Sequence, residues 1–149
     1  MTAFLLDVNV LVALAWPGHE AHEQVQVWFA RKADLGWATC PFTQSGFVRV
    51  ISNPAFSTRA VSPQDALRAL NTSIKHPAHR FWAADIGFGE AVRRFQSRLV
   101  GHKQVTDAYL LGIAQHKRGK VVTLDRSLTA LLDPKSDNRD LVELIPKSI

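Results

Sequence analysis

The chain has 149 residues and a mass of 16.6 kDa, a length typical of one domain with its own core. Hydrophobic residues make up 46% and charged residues 21%, which excludes disordered, collagen-like and low-complexity classes. The single cysteine, Cys40, excludes an internal disulfide and a multi-cysteine metal site, and it favours a reducing, cytoplasmic setting. We therefore expect residues 1–149 to form a single domain.

The net charge of +5 is unevenly distributed along the chain. The segment from Arg93 to Arg126 has eight basic and two acidic residues, a local net charge of +6. Such a segment suits a polyanion such as nucleic acid, although a basic run alone is more often a solvated helix face. Asp7 and Asn9 interrupt the apolar start, and no apolar run reaches membrane-spanning length. We therefore expect a soluble protein with neither a signal peptide nor a membrane span.

Strand and helix patterns alternate along the chain. Short apolar runs predict strands at residues 4–6, 37–40, 81–83, 120–124 and 141–145. Helical periodicity and capping residues predict helices at about residues 10–16, 21–32, 43–51, 62–70, 90–99, 106–118 and 127–132. This alternation predicts an α/β sandwich with a mainly parallel sheet.

Three aspartates occupy positions where a parallel sheet gathers its ligands. Asp7 and Asp125 each follow a predicted strand, and Asp107 lies in the first turn of the helix that Thr106 opens. Taken singly, each is explained equally well as a turn-forming or helix-terminal residue. Together, three carboxylates would raise one another's pKa unless a cation offset them, and oxygen-only ligands favour Mg²⁺ or Mn²⁺. The pattern therefore indicates metal-assisted attack of water on a phosphodiester, with the basic segment holding the flanking backbone.

Four segments, taken in order, also carry a family resemblance. They are residues 4–11 (FLLDVNVL), 43–50 (TQSGFVRV), 104–110 (QVTDAYL) and 122–126 (VTLDR). These segments resemble the PIN-domain nucleases and, within them, the VapC-like toxins of type II toxin–antitoxin pairs. The resemblance implies a three-layer α/β/α fold, Mg²⁺-dependent endoribonuclease activity and a homodimer. It also implies a VapB-like antitoxin that inserts an apolar helix into the acidic site.

The resemblance assigns roles to individual positions. The assigned residues are the metal-site acids Asp7, Asp107 and Asp125 and their polar neighbours Asn9 and Thr123. The RNA contacts predicted from the basic segment are Arg93, Arg94, Lys103 and Arg126. The chain departs from the family at Gln44, where many members have Glu. An amide supplies an oxygen ligand but no charge, so a weaker or absent second metal is expected. Gln44 is equally explained as a residue that positions a water or as an exposed helix residue, and Glu90 is a further candidate for the missing acid.

Three functions remain open on this basis. The first is a metal-dependent endoribonuclease toxin, the second a catalytically weakened RNA-binding or regulatory module suggested by Gln44, and the third a small-molecule phosphohydrolase. Other motifs indicate no site. The run His19-Glu20-Ala21-His22 lacks the spacing of a zinc-binding helix and is interpreted as a solvent-facing helix start. Cys40 is interpreted as a small core residue, and the four tryptophans as core or partner surface.

Overall fold

A five-stranded parallel sheet forms the centre of the computed structural model, which describes residues 2–59 and 61–146. The strands are β1 (Phe4–Leu6), β2 (Trp37–Thr39), β3 (His79–Phe81), β4 (Lys120–Thr123) and β5 (Val142–Leu144). Their order across the sheet is β3-β2-β1-β4-β5, and every neighbouring pair is parallel. The predicted parallel sheet is therefore confirmed.

Within the described residues, six α-helices and several 3₁₀ segments connect the strands. The helices are α1 (Val8–Ala15), α2 (His22–Lys32), α3 (Pro41–Ile51), α4 (Pro63–Ser73), α5 (Phe88–Val92) and α6 (Val105–His116). The 3₁₀ segments are Ala33–Leu35, Arg93–Arg98, His102–Gln104, Arg126–Leu131 and Asp137–Leu141. In the part of the chain that the structure describes, no helix combines the length and apolar character needed to cross a bilayer.

The sheet has a hydrophobic core on each face, and successive side chains of the buried strands point alternately into the two cores. Phe4 and Leu6 of β1 pack on one face with residues of α1 to α4, whereas Leu5 packs on the other with residues of α5 and α6. Val121 and Val122 of β4 divide between the two faces in the same way. The predicted three-layer α/β/α sandwich is therefore confirmed.

The direction in which strands are added reverses at β1. The chain places β2 and then β3 on one side of β1, and later places β4 and β5 on the other. The carboxyl ends of β1 and β4 consequently border the crevice at the switch point, where open α/β sheets bind their ligands. Asp7 follows β1 directly, and its backbone N–H donates to the Val122 carbonyl of β4 at 2.9 Å. Asp125 follows β4 by two positions, so both acids lie at this crevice.

Three predicted elements differ from the structure. The predicted helix at about residues 127–132 is a 3₁₀ segment, Arg126–Leu131. The apolar run at 81–83 predicts a strand there, but β3 is His79–Phe81 and pairs with β2 through those residues. Phe81 is 55% exposed, whereas Trp82 lies in the core beyond the strand. The apolar run therefore coincides with a residue that packs in the core and not with the residues that pair with β2. The predicted helix at 90–99 divides into α5 and a 3₁₀ segment from Arg93, in which Phe95 is buried.

Candidate active site

Asp7 is the most buried acid at the crevice, with 8% of its surface exposed. Its Oδ1 accepts a hydrogen bond from the Val8 backbone N–H at 2.8 Å, and its Oδ2 accepts one from the Thr123 hydroxyl at 2.8 Å. Burial raises the pKa of Asp7, the two hydrogen bonds partly offset that rise, and the charge of Asp125 adds to it. Asp7 is therefore a fixed carboxylate whose negative charge is incompletely compensated.

The Thr123 hydroxyl connects the ends of β1 and β4. Besides donating to Asp7, it accepts hydrogen bonds from Asn9 Nδ2 at 3.2 Å and from the Asp125 backbone N–H at 3.0 Å. Asn9 in turn accepts a hydrogen bond on Oδ1 from the Leu124 backbone N–H at 3.2 Å. This network fixes Asp7 and positions the backbone that carries Asp125.

Asp107 and Asp125 complete what we call the carboxylate cluster, Asp7, Asp107 and Asp125. Asp107 lies half-buried in the first turn of α6, and its pKa is raised from 3.8 to about 6. Burial is the largest cause, followed by the charges of Asp7 and Asp125. Asp125 is exposed, and its Oδ1 accepts a hydrogen bond from the Ser127 backbone N–H at 2.9 Å. The fold therefore brings the three predicted acids into one electrostatic environment.

The carboxylate cluster has no basic partner among residues 2–59 and 61–146, where every ion pair involves other acids. Across the same residues, no three His, Cys, Asp or Glu side chains are arranged as a preformed metal cage. The raised pKa of Asp107 and the absence of a cage are compatible, because charges act on one another over longer distances than ligand bonds span. The cluster is a region of concentrated negative charge with unused carboxylate oxygens.

Gln44 belongs to a different hydrogen-bond chain on the same edge of the sheet. Its Nε2 donates to Thr39 Oγ1 at 2.9 Å, and that oxygen lies 2.8 Å from Nε2 of His79. Gln44 is half-buried, which does not fit its interpretation as an exposed helix residue. Glu90 is exposed on α5 and is not among the charges that raise the pKa of Asp107.

The basic residues assigned to RNA are all exposed. They are Arg93 and Arg94 at the start of a 3₁₀ segment, Lys103 in another, and Arg126 next to Asp125. Two further basic residues of the segment are partly neutralised, since Lys117 lies 3.1 Å from Asp85 and Arg98 lies 3.7 Å from Asp133. The positive potential is consequently smaller than the sequence count suggests.

Sequence reasoning missed a cleft of about 660 Å³ beside Asp125. His19, Glu20 and Arg126 line it, although the first two were expected at a solvent-facing helix start. In fact α2 begins only at His22, and His19 is half-buried in the connection before it. No local sequence pattern marks this cleft. The segment before α2 lies next to the end of β5 only because of the strand order in the assembled sheet.

The far wall of the cleft is held by a contact between α2 and β5. Glu143 accepts hydrogen bonds from Trp28 Nε1 and from Lys32 Nζ, the latter at 3.1 Å. These bonds attach the outer strand to the helix layer. They thereby hold Leu144 and Ile145, which line the cleft, in place.

A family model described as PIN domain matches residues 4–131, most of the chain. The chain belongs to the PIN-domain family. Ribonuclease VapC38 of Mycobacterium tuberculosis is 44% identical over 127 residues, which cover 85% of this chain and 88% of that protein. Ribonuclease VapC44 of the same organism is 39% identical over 140 residues, covering 94% and 98%. The resemblance to VapC proteins that the sequence motifs indicated is confirmed.

Two solved structures share the PIN fold of this chain. VapBC2 from Rickettsia felis, bound to a DNA fragment from their promoter, contains a chain that aligns with a TM-score of 0.63 at 9% identity, covering 96% of this chain and 98% of that one. PAE2754 from Pyrobaculum aerophilum aligns with a TM-score of 0.59 at 22% identity, covering 89% and 81%. At these identities the likeness concerns the fold alone.

Proposed function

We propose that this PIN domain is a divalent-metal-dependent endoribonuclease toxin of the VapC type, with the carboxylate cluster as its catalytic centre. The observation that carries the proposal is the cluster itself, in which acids from separate parts of the chain meet at the switch point: the charges of Asp7 and Asp125 help to raise the pKa of Asp107, and the charge of Asp125 helps to raise that of Asp7. The ribonuclease class follows from the family and from relatives that are named ribonuclease and that this chain matches over most of their length. The function predicted from the sequence therefore agrees with the family to which the chain belongs.

The donor chemistry of the cluster fits a hard divalent cation. Its free ligands are carboxylate oxygens, which Mg²⁺ and Mn²⁺ prefer, and it has uncompensated negative charge. When bound, such an ion lowers the pKa of a water and stabilises negative charge on a phosphodiester. We propose that Asp7, Asp107 and Asp125 hold this ion.

The three acids contribute differently to the site. Asp7 is immobilised by its two hydrogen bonds, so it sets the position of the ion. The side chains of Asp107 and Asp125 face solvent at least in part and are free to rotate toward it. Asn9 and Thr123 act as positioning residues, since they hold Asp7 and the Asp125 backbone.

Gln44 limits the charge available for a second ion. Its nitrogen is bonded to Thr39, so only the neutral amide oxygen is free to serve as a ligand. We propose a site with one tightly held ion. Arg93, Arg94, Lys103 and Arg126 would hold the phosphates of RNA on either side of the cut, as exposed basic side chains do in other complexes.

We propose a VapB-like antitoxin and a second copy of this chain as protein partners. An acidic, uncompensated site suits inhibition by a basic side chain of the antitoxin. For a protein contact, the chain offers the exposed rings of Phe42 and Phe88, which each pack against Tyr109 with ring centroids 5.2 and 5.5 Å away. Light scattering of the purified toxin across protein concentration tests the dimer.

Cleavage of a structured RNA by the purified toxin tests the catalytic centre. With Mg²⁺ or Mn²⁺ the unaltered protein should cleave, and EDTA should abolish cleavage. Asp7→Asn should lower the rate at least about 1,000-fold, because it removes the charge that fixes the ion. Asp140→Asn, at an exposed acid outside the cluster, serves as the matched control and should retain the full rate.

Two results would contradict the proposal. Equal cleavage by the unaltered protein and Asp7→Asn would remove the cluster from catalysis. Retention of RNA without cleavage, unchanged by the divalent ion, would instead favour a weakened RNA-binding module.

A further inference from the structure

Most of the residues that line the cleft beside Asp125 have no role in the catalytic proposal. We propose that the cleft is a nucleobase subsite, which binds the base of a nucleotide adjacent to the scissile phosphate and prefers guanine. This inference rests on the proposed ribonuclease function and adds the feature of the RNA that the site selects. Its volume of about 660 Å³ lies within the range of pockets that bind small organic groups.

The walls of the cleft match the two kinds of surface on a base. The apolar wall consists of Leu124, Leu144, Ile145 and Pro146, and the polar edge includes His19, Glu20 and Arg126. An unstacked base likewise has apolar faces and a polar edge. An isolated phosphate is a poorer occupant, because the carboxylates of Glu20 and Asp125 would repel it. A phosphate also gains nothing from contact with the apolar wall.

The hydrogen bonds already made in the cleft define what His19 offers to a ligand. The Ala21 backbone N–H donates to Nδ1 of His19 at 3.0 Å, so Nδ1 is an acceptor. In the neutral imidazole the proton therefore lies on Nε2, which becomes a donor. Glu20 contributes an exposed carboxylate as acceptor, and Arg126 contributes further donors.

Guanine fits this set better than the other bases. Its Watson–Crick edge has two adjacent N–H donors, the ring N1–H and the 2-amino group, which a single carboxylate such as Glu20 can accept together. Its O6 and N7 accept hydrogen bonds, which His19 and Arg126 can donate. Adenine and cytosine place a ring acceptor beside the amino group, where it would face the carboxylate, and uracil has no amino group.

The cleft is continuous with the catalytic centre. Asn9 and Asp125 line it, and Asn9 donates to Thr123, which donates to Asp7. A base in the cleft therefore places its own phosphate next to the carboxylate cluster. Binding of the base would position the bond to be cut, which is how a specificity subsite contributes to rate.

RNA binding without cleavage tests the subsite directly. The protein carries Asp7→Asn and is kept in EDTA, and the probes are labelled oligouridine decamers with one central guanosine or one central inosine, which lacks the 2-amino group. Fluorescence anisotropy should show about tenfold tighter binding of the guanosine probe, since a hydrogen bond from the amino group to a carboxylate is lost with inosine. Adding Glu20→Gln should reduce this preference below about twofold.

A matched control and a cleavage assay complete the design. Glu23→Gln changes an exposed acid of α2 that does not line the cleft, and it should keep the tenfold preference. In the otherwise unaltered enzyme with Mg²⁺, Glu20→Gln should reduce the preference for cutting beside guanosine in a mixed RNA, whereas Glu23→Gln should change neither the cut sites nor the rate.

Several results would overturn the subsite. One is equal binding of the two probes before any change at Glu20, and another is a preference that survives Glu20→Gln. A third is that Glu20→Gln weakens antitoxin binding while the preference for guanosine stays intact. That result would show that the cleft binds the antitoxin instead. Failure of the catalytic proposal is distinct, since it appears as absent or metal-independent cleavage by the enzyme with Asp7 in place.

Discussion

The carboxyl edge of the sheet has two halves that use the same framework for different chemistry. On each side of β1, a strand ends in a fully buried threonine, Thr123 on β4 and Thr39 on β2, whose hydroxyl joins several polar groups. Thr123 donates to the carboxylate of Asp7, whereas Thr39 contacts the amide of Gln44 and the imidazole of His79. One half is therefore negatively charged and the other is neutral.

The two halves share a hydrogen-bonded framework and differ in their charge. Both threonines are well buried and well bonded, so a polar network at a strand end is not by itself a metal site. The β1 and β4 half differs because its network holds acids that no basic residue balances in the described part of the chain. Uncompensated charge, rather than hydrogen bonding, identifies the half that suits a cation.

The largest expected difference between the halves comes from removing each hydroxyl. Thr123→Val should lower the free energy of unfolding by about 2 to 3 kcal/mol and RNA cleavage at least about tenfold, because Asp7, Asn9 and the Asp125 backbone each lose a partner. Urea unfolding and single-turnover cleavage measure the two effects. Thr39→Val is the matched variant and should cost about 1 to 2 kcal/mol while changing cleavage less than about threefold. Equal loss of cleavage in both variants would contradict the division into halves.

A second, smaller effect concerns pH and the raised pKa of Asp107. Its folded pKa of about 6 exceeds its ordinary 3.8, so without metal the folded state binds more protons between about pH 4 and 6. Stability of the metal-free protein should therefore fall as pH rises through this window. Asp107→Asn should reduce that fall and add about 1 kcal/mol at pH 7, a modest value because water partly screens the half-exposed carboxylate.

The same shift gives the opposite trend for metal. A divalent ion requires the ionised carboxylate, so Mg²⁺ affinity of the unaltered protein should rise with pH through about 6. Thermal unfolding with and without Mg²⁺ across pH 4 to 8 measures both trends together. An identical pH dependence of metal-free stability in the unaltered protein and in Asp107→Asn would contradict the raised pKa of Asp107.

The smallest expected effect comes from adding charge to the neutral half. Gln44→Glu removes the hydrogen bond that the amide donates to Thr39 and introduces a carboxylate on that side. We expect Mg²⁺ affinity, measured by calorimetry, to change less than about threefold, because the ion is held by the cluster across β1. A much larger gain in the affinity of the first ion would show that the two halves form one site.

The sequence predicted the sheet and the cluster for an identifiable physical reason. Asp7 follows a buried strand, Asp125 follows another, and Asp107 begins a helix, so each position is marked by its own neighbours. The cleft could not be predicted in this way. His19 and Glu20 precede α2 and meet the end of β5 only after the whole sheet has assembled, and that contact leaves no local pattern.

Element boundaries were less predictable for a similar reason. Phe81 and Trp82 are both apolar, yet one ends β3 with an exposed side chain and the other packs in the core. Which of them pairs depends on the register of β3 against β2, a long-range property. The roles of Arg93, Arg94 and Lys103 remain predictions, since exposure alone does not show what an arginine or lysine binds.

The attachment of Glu143 to Trp28 and Lys32 also bears on self-association of the sheet. An outermost strand can act as a template for another chain's backbone, and natural proteins limit this by keeping such strands short, charged or covered. β5 has only three residues, carries this tethered acid, and is followed within two positions by Pro146, which has no N–H to donate. The protein can therefore keep an open crevice beside that rim without exposing a long ladder on which copies could aggregate.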